Sequence, residues 1–447
     1  MYKKGFRTSQ IIVTGFFIII LLGAVILSLP ISSSDGEWTS WMDAIFTSVT
    51  SVCVTGLTTV TIAEQYNLFG QIVILLLIQL GGLGVVCCGV GVLLILRRRI
   101  SMKERILIQN AYNLKSLKGM VRFVTRILRG TFIIETIGAI CYAFVFIPEY
   151  GPFQGLWYSI FHAVSAFCNA GLDLLGDSSF MIYRDNLIIN LTTAFLVISG
   201  GIGFIVWWDI KDCMKRAGRM KRLTVHSKLA ISVTMILLIV GTFLIFAFEY
   251  TNHETIGDLS FGKKLLSSFF ESVTTRTAGF ATIPQENFRD SSYIFILLLM
   301  FIGGSPLGTA GGVKTTTIAM LYLTIKSEIK GYRDVETFHR KITMENIRTG
   351  LTIVLLAVAL LISSIVSLVI IEDMPLKEIT FECVSALATV GLGRGNTAMF
   401  STYGKLILCC LMFAGRIGAI TLAMAFSSRK DQQKNIRENA SAKIMVG

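Results

Sequence analysis

The chain has 447 residues, of which 53% are hydrophobic and only 15% charged, a balance that excludes a soluble multidomain protein and points to a polytopic membrane protein. Its formal net charge of +13 is not a nucleic-acid signature, because the basic residues gather in alternate connections between apolar runs, so no nucleic-acid partner is expected. The nine cysteines show no CxxC or zinc spacing and mostly sit inside apolar runs, where they read as small hydrophobes without a disulfide framework.

In chain order, the first apolar run, IIVTGFFIIILLGAVILSL (11–29), follows Lys3, Lys4 and Arg7. It exceeds a signal-peptide core and lacks a small-x-small cleavage site, so it is expected to remain as a spanning helix. The stretch 31–67 contains no Lys or Arg but carries Asp35, Glu37, Asp43 and Glu64, and is expected outside. Within it, SVTSVCVTGLTTV (48–60) is too polar to face lipid and too apolar for an ordinary loop. The run 68–96 forms the second span, followed by Arg97, Arg98, Arg99, Lys103 and Arg105. Spans are expected near 10–30, 68–97, 119–147, 187–210, 227–249, 292–326, 347–371 and 402–427. Basic clusters also follow the fourth span (Lys211, Lys215, Arg216, Arg219, Lys221, Arg222) and the sixth (Lys326, Lys330, Arg333, Arg340, Lys341). The positive-inside rule therefore predicts eight crossings of a lipid membrane with both termini cytoplasmic.

The odd stretch at 48–60 recurs. FHAVSAFCNAGLDL surrounds Gly171, FFESVTTRTAGFAT surrounds Gly279, and FECVSALATVGLGRG surrounds Gly391, each with Phe ten positions before the glycine, as Phe46 precedes Gly56. The glycines recur at intervals of 115, 108 and 112, which divides the chain into four units, 1–112, 113–226, 227–341 and 342–447. Each unit reads as span, short amphipathic segment, glycine motif, polar stretch, span. The short segments (41–52, 154–167, 262–274 and 376–387) cannot cross a bilayer and are expected to enter as half-helices and return as extended chain. Irregular backbone at membrane depth must be buried in protein or line water. The expected fold is an all-α integral membrane protein: four covalently linked span–pore loop–span repeats around a central pore.

Converging loops of this kind supply backbone carbonyls in place of a cation's hydration water, the device of potassium-channel filters. The ligating residues are expected to be Val54, Thr55 and Gly56; Asn169, Ala170 and Gly171; Thr277, Ala278 and Gly279; and Thr389, Val390 and Gly391. Glycine is wanted because it reaches positive φ without a Cβ clash, and each half-helix aims its negative end at the ion. One such motif alone would read as close helix packing; four in matching register favour a filter.

The sixth span is interrupted by FIGGSPLGTAGGVKTTT (301–317), with Gly303, Gly304, Pro306, Gly308, Gly311 and Gly312. Each glycine costs a helix about 1 kcal/mol and proline about 3 kcal/mol, so a continuous helix is not expected. GTAGGVKT is not a phosphate-binding loop, because Val313 separates Gly312 from Lys314 and no strand precedes it. An unwound segment under the third pore loop reads as a gate. Arg416 in the last span is a functional suspect as an intramembrane charge; pairing with a carboxylate such as Glu382 is its structural alternative. Arg276, beside Gly279, is expected to brace the filter, and His162 to be a hydrogen-bonded pore-helix residue.

DAIFTSVTSVCVTGLT, FHAVSAFCNAG, TTRTAGF, LMFIGG, MFAGRIGAIT and the final Gly447 together resemble the Trk/Ktr/HKT superfamily of potassium transporters, over nearly the whole chain. The resemblance implies potassium as the transported ion, with glycine at Gly56, Gly171, Gly279 and Gly391 as the potassium-preferring pattern. It implies an intramembrane gate at Gly303, Gly304, Gly308, Gly311, Gly312 and Lys314, held by Arg416. It further implies a homodimer in the bacterial cytoplasmic membrane, docked on a KtrA-like ring of nucleotide-binding regulatory subunits, with sodium as an activator and no cofactor in this chain. Cys53 and Cys168 depart from the polar or small residues usual in such relatives. Two rivals stand beside this reading. One is a sodium-selective or nonselective cation channel of the same fold. The other is a membrane-embedded enzyme, for which the scattered His162, His226, His253 and His339 supply no catalytic set.

Overall fold

The computed structural model describes residues 8–96, 120–176, 179–215, 223–395 and 397–418, with positions 109, 421 and 422. The basic connections 97–105 and 216–222 and the tail 427–447 lie outside the described residues. The described chain is helical; a two-strand hairpin, Glu336–Thr337 against Arg340–Lys341, sits in the connection after the sixth span.

Each repeat opens with a long apolar helix: α1 (Thr8–Ser28), α5 (Met120–Tyr150), α9 (Val225–Glu249) and α13 (Met344–Ile371). At 1.5 Å per residue these reach a bilayer's hydrocarbon thickness. At most a third of their apolar stretches is buried, and Phe132, Phe144, Phe243 and Ile370 stay largely exposed. They therefore form the lipid-facing wall.

Inside that wall stand four short helices, α2 (Trp41–Cys53), α6 (Pro152–Cys168), α10 (Phe261–Thr274) and α14 (Leu376–Ala388). Their bounds fall within two residues of the expected half-helices. The phenylalanine ten positions before each glycine anchors them: Phe46, Phe161 and Phe381 are buried, and Phe269 is partly buried against the core.

The second helices begin with side-chain caps, Asn67 accepting from Gly70 N (3.1 Å), Asn186 from Ile189 N (3.1 Å) and Ser401 from Gly404 N (3.2 Å). They then depart from expectation. The spans read as continuous at 68–97 and 187–210 are both broken: α3 (Leu68–Leu83) turns by 106° into α4 (Val85–Ile95), and α7 (Leu187–Gly201) by 95° into α8 (Phe204–Lys215). The third repeat is interrupted between α11 (Asp290–Phe301) and α12 (Thr315–Ile329), and α15 (Thr402–Ile417) ends at Gly418. The physical cause is a shared pattern: GGLG (81–84), GGIG (200–203), GGSP (303–306) and GRIG (415–418). Gly84, Gly203 and Gly418 take φ of 84°, 97° and 89°, where a right-handed helix cannot continue. The first glycine of the pattern serves close approach. A Cβ on Gly81, Gly200 or Gly415 would strike the carbonyl oxygen of Val52, Phe167 or Leu387 respectively, each four residues before a pore-loop glycine. Among the described residues, four helices thus have the length for a full crossing, and two bent pairs form broken ones.

Candidate functional site

The four half-helices stop the same way. Val54, Asn169 and Thr389 cap α2, α6 and α14 in the left-handed region (φ 56°, 61°, 52°), and Thr277 follows α10 at 65°. Two residues on, Gly56, Gly171, Gly279 and Gly391 are again at positive φ (107°, 65°, 85°, 93°), while the residue between keeps ordinary φ. This alternation turns successive peptide groups to one side instead of to opposite faces as in a strand. Left-handed backbone costs a β-branched residue about 1–2 kcal/mol, so Val54, Thr277 and Thr389 are strained positions of the kind found at functional sites.

Half-helix side chains hold the strained loops. Thr50 Oγ1 and Ser385 Oγ, each six positions before a glycine, accept from Gly56 N (3.0 Å) and Gly391 N (3.1 Å). Ser165 Oγ and Thr274 Oγ1 donate instead to Leu172 O (2.6 Å) and Phe280 O (2.7 Å). A second bracket sits nine positions before the glycine: His162 Nε2 accepts from Leu174 N (3.3 Å), and Glu382 Oε1 from Arg394 N (3.1 Å).

The loops close into a ring. A Cβ on Gly56 would stand 2.8 Å from Ala170 O, one on Gly171 2.6 Å from Ala278 O, one on Gly279 2.8 Å from Val390 O, and one on Gly391 would overlap Thr55 O. Each glycine thus faces the carbonyl preceding the next repeat's glycine, in the order 1–2–3–4 and back to 1. Thr55, Thr277 and Thr389 are fully buried, yet their hydroxyls have no protein partner among the described residues. Buried hydroxyls without partners are costly and are suited to ligate an ion or its water. Outside the ring lies a cavity of about 420 Å³ lined by the four glycines and by Asp173, Gln285 and Glu286. The donor set is oxygen throughout, which suits a hard, partly dehydrated cation.

The segment between α11 and α12 lies against the inner side of this ring. Gly303 N bonds Val313 O (3.0 Å). Ser305 N and Thr309 N donate to Gly201 O (2.8 Å) and Gly200 O (3.1 Å) of the second repeat. The Thr309 hydroxyl reaches Asn169 Oδ1 (2.8 Å) and Phe167 O (3.1 Å). Gly311 packs on Thr389, leaving no room for a Cβ. Lys314 Nζ donates to Ala310 O (2.7 Å) and Gly311 O (3.3 Å) within the segment itself. Gly304 and Gly308 pack on the backbone at Gly201.

Arg416 joins this segment to the first repeat. Its guanidinium donates to Thr309 O, Gly81 O and Gly82 O, the last at 2.9 Å. The Glu382 carboxylate considered as its structural partner instead accepts from Arg394 N and Thr397 Oγ1 (2.9 Å). Arg276 bonds Thr234 Oγ1 on α9 (3.3 Å). Sequence reasoning missed Thr309 and the Gly81–Gly82 and Gly200–Gly201 pairs. The GGxG pattern, with Arg416 replacing the second glycine in the fourth copy, was the available signal.

A family model described as TrkH, cation transport protein, matches residues 2–438. The chain is 39% identical to the potassium/sodium uptake protein NtpJ of Enterococcus hirae, over 100% of this chain and 98% of that protein. It is also 39% identical to the Ktr system potassium uptake protein B of Bacillus subtilis, covering 97% and 95% respectively. The crystal structure of the potassium transporter TrkH from Vibrio parahaemolyticus superposes with a TM-score of 0.76 at 16% identity, covering 95% of this chain and 86% of that one; it shares the fold.

Proposed function

The chain belongs to the TrkH family of cation transport proteins, as a membrane subunit of the Ktr type, and from that premise we propose that it is the pore through which potassium enters the cell. It is a multi-pass membrane transporter, not an enzyme. The observation that carries the proposal is the closed ring of four glycine loops with buried threonine hydroxyls lacking protein partners. Potassium is the substrate, and Val54–Gly56, Asn169–Gly171, Thr277–Gly279 and Thr389–Gly391 act as its filter. The printed names of both 39%-identical relatives, potassium uptake in one and potassium/sodium uptake in the other, support the ion.

The driving force is electrical, about 2.3 kcal/mol per charge per 100 mV of inside-negative potential. The segment containing Gly303, Gly304, Gly308, Gly311, Gly312 and Lys314 acts as the gate, and Arg416 holds it across the path. The subunit works as a homodimer in the bacterial cytoplasmic membrane with cytoplasmic termini. The basic connections and the tail dock a KtrA-like nucleotide-binding ring, and sodium stimulates uptake. "System" in the names of the Ktr relatives supports an assembly of several components.

The test is growth of a potassium-uptake-deficient bacterium at limiting potassium, paired with tracer flux into liposomes under potassium and under sodium. Rescue with potassium preference is expected. Equal or greater sodium flux would assign the chain to the sodium-selective or nonselective alternative, and absence of cation flux would refute the pore.

A further inference from the structure

A buried carboxyl group requires a full set of donors, a counter-charge or a proton. Three carboxylates around the third and fourth pore loops are fully buried, and they meet that requirement differently. Glu249 accepts from Asn252 Nδ2 (2.6 Å), Thr255 Oγ1 (2.7 Å), Arg289 N (3.1 Å) and Ser292 Oγ. Glu382 accepts from Arg394 N and Thr397 Oγ1 on its two oxygens. Among the described residues, Glu271, on α10 eight residues before Gly279, has a hydrogen-bond donor on only one oxygen, Gln285 Nε2 to Oε2 at 3.3 Å. Its Oε1 has no partner, and Glu271 takes part in none of the ion pairs among the described residues.

The surroundings of Glu271 add further oxygens that have no partner among the described residues. Gln285, only 2% exposed, leaves its own Oε1 without a donor. Ser267 and Ser268, four and three positions before Glu271 and hence on its side of the helix, are fully buried with unpartnered hydroxyls. Arg394 Nη1 and Nη2 donate to the backbone beside the Gln285 side chain, at Gln285 O (2.7 Å) and Glu286 O (2.8 Å), and not to the Glu271 carboxyl. Gln285 also lines the outer cavity, so the residue that bonds Glu271 reaches the outer side of the ring.

We propose that Glu271, with the amide oxygen of Gln285 and the hydroxyls of Ser267 and Ser268, forms a sodium site off the ion path, filled from the outer cavity. One carboxylate is neutralised by one monovalent charge, whereas calcium takes six to eight oxygens, commonly several carboxylates. The set contains no sulfur or imidazole, which excludes soft transition metals. A few side-chain oxygens suit the smaller ion, while the backbone ring on the axis serves the larger. Because Glu271 sits on the helix that ends in the third pore loop, sodium there fixes α10 against the Gln285 strap and steadies Gly279. The proposal locates the sodium stimulation of the proposed uptake function and rests on that reading for its effect on flux, though not for binding.

The experiment begins with the purified full-length chain melted in sodium, potassium or choline chloride at equal ionic strength. A saturable rise in melting temperature specific to sodium is expected. Glu271→Gln should lose that rise, since a neutral amide needs no counter-ion, while still conducting potassium without sodium stimulation. Ser268→Ala, a milder change, should need several-fold more sodium for the same shift. Three results overturn the site: no sodium-specific shift in the unmodified chain, a shift that survives in Glu271→Gln, or a shift that acidification alone reproduces, which would mean a proton holds the carboxyl neutral. The melting arm needs no flux. A chain that binds sodium but conducts no cation would sink the pore reading and leave the site standing.

Discussion

Gly56→Ser is the most direct test of the ring. At φ 107° a residue with a Cβ costs about 1–2 kcal/mol. That Cβ would stand 2.8 Å from Ala170 O, 3.1 Å from Gly391 Cα and 3.2 Å from Gly171 Cα, overpacking of about 1–3 kcal/mol. The bond holding this peptide, Gly56 N to Thr50 Oγ1, is worth about 0.5–1.5 kcal/mol. Strain exceeds the restraint, so the first loop moves while the other three keep their own brackets. One quarter of the carbonyl set is then misplaced. Each loss of about 1.4 kcal/mol in ion preference is a tenfold change, and a fall of about tenfold or more in the potassium-to-sodium flux ratio is expected, read by paired tracer fluxes into liposomes. Gly36→Ser is the control, because Gly36 also has positive φ (70°) but nothing near its Cβ position; its ratio should not change. A Gly56→Ser protein that folds, conducts and keeps its ratio would refute the reasoning.

Three further outcomes are expected. Arg416→Gln removes charge-assisted bonds to Thr309 O, Gly81 O and Gly82 O, each worth about 1.5–3 kcal/mol; basal flux should rise with ion preference kept, and unchanged flux would return the segment to a packing role. Thr309→Val keeps the shape and deletes the hydroxyl whose one proton is shared between Asn169 Oδ1 and Phe167 O, about 1 kcal/mol in all, so basal flux should rise by less than in Arg416→Gln, and a larger rise would contradict the ranking. Asp173, in the chain leaving the second pore loop, has its carboxyl pushed up to about 6 by desolvation. A raised folded-state value means the neutral form is favoured, so stability from this group is gained as pH falls through about 6, while the outer cavity loses a cation-attracting charge. Uptake at limiting potassium should therefore drop as external pH falls through about 6, and Asp173→Asn should remove that step; a step of equal size in Asp173→Asn would exclude Asp173 as its source.

The sequence by itself determined the fourfold repeat, the membrane class and the half-helix bounds. These follow from local rules: apolar run length sets a crossing, and the Phe-to-Gly spacing of ten sets where each half-helix stops. The interruption at 302–314 was also legible, because its glycines and proline crowd one stretch. The bends at Gly84 and Gly203 were not, since GGLG and GGIG in apolar runs read equally as close helix packing within a continuous span; only packing against Val52 O and Phe167 O makes the break visible. Which carbonyl faces which glycine, which repeat receives the Thr309 hydroxyl, and that Arg416 reaches Gly81 and Gly82 in place of Glu382 were decided by tertiary structure alone. These contacts join residues more than a hundred positions apart, and their partners are mostly backbone atoms. Backbone oxygens are the same at every residue, so no side-chain pattern records which of them a distant arginine or glycine will meet.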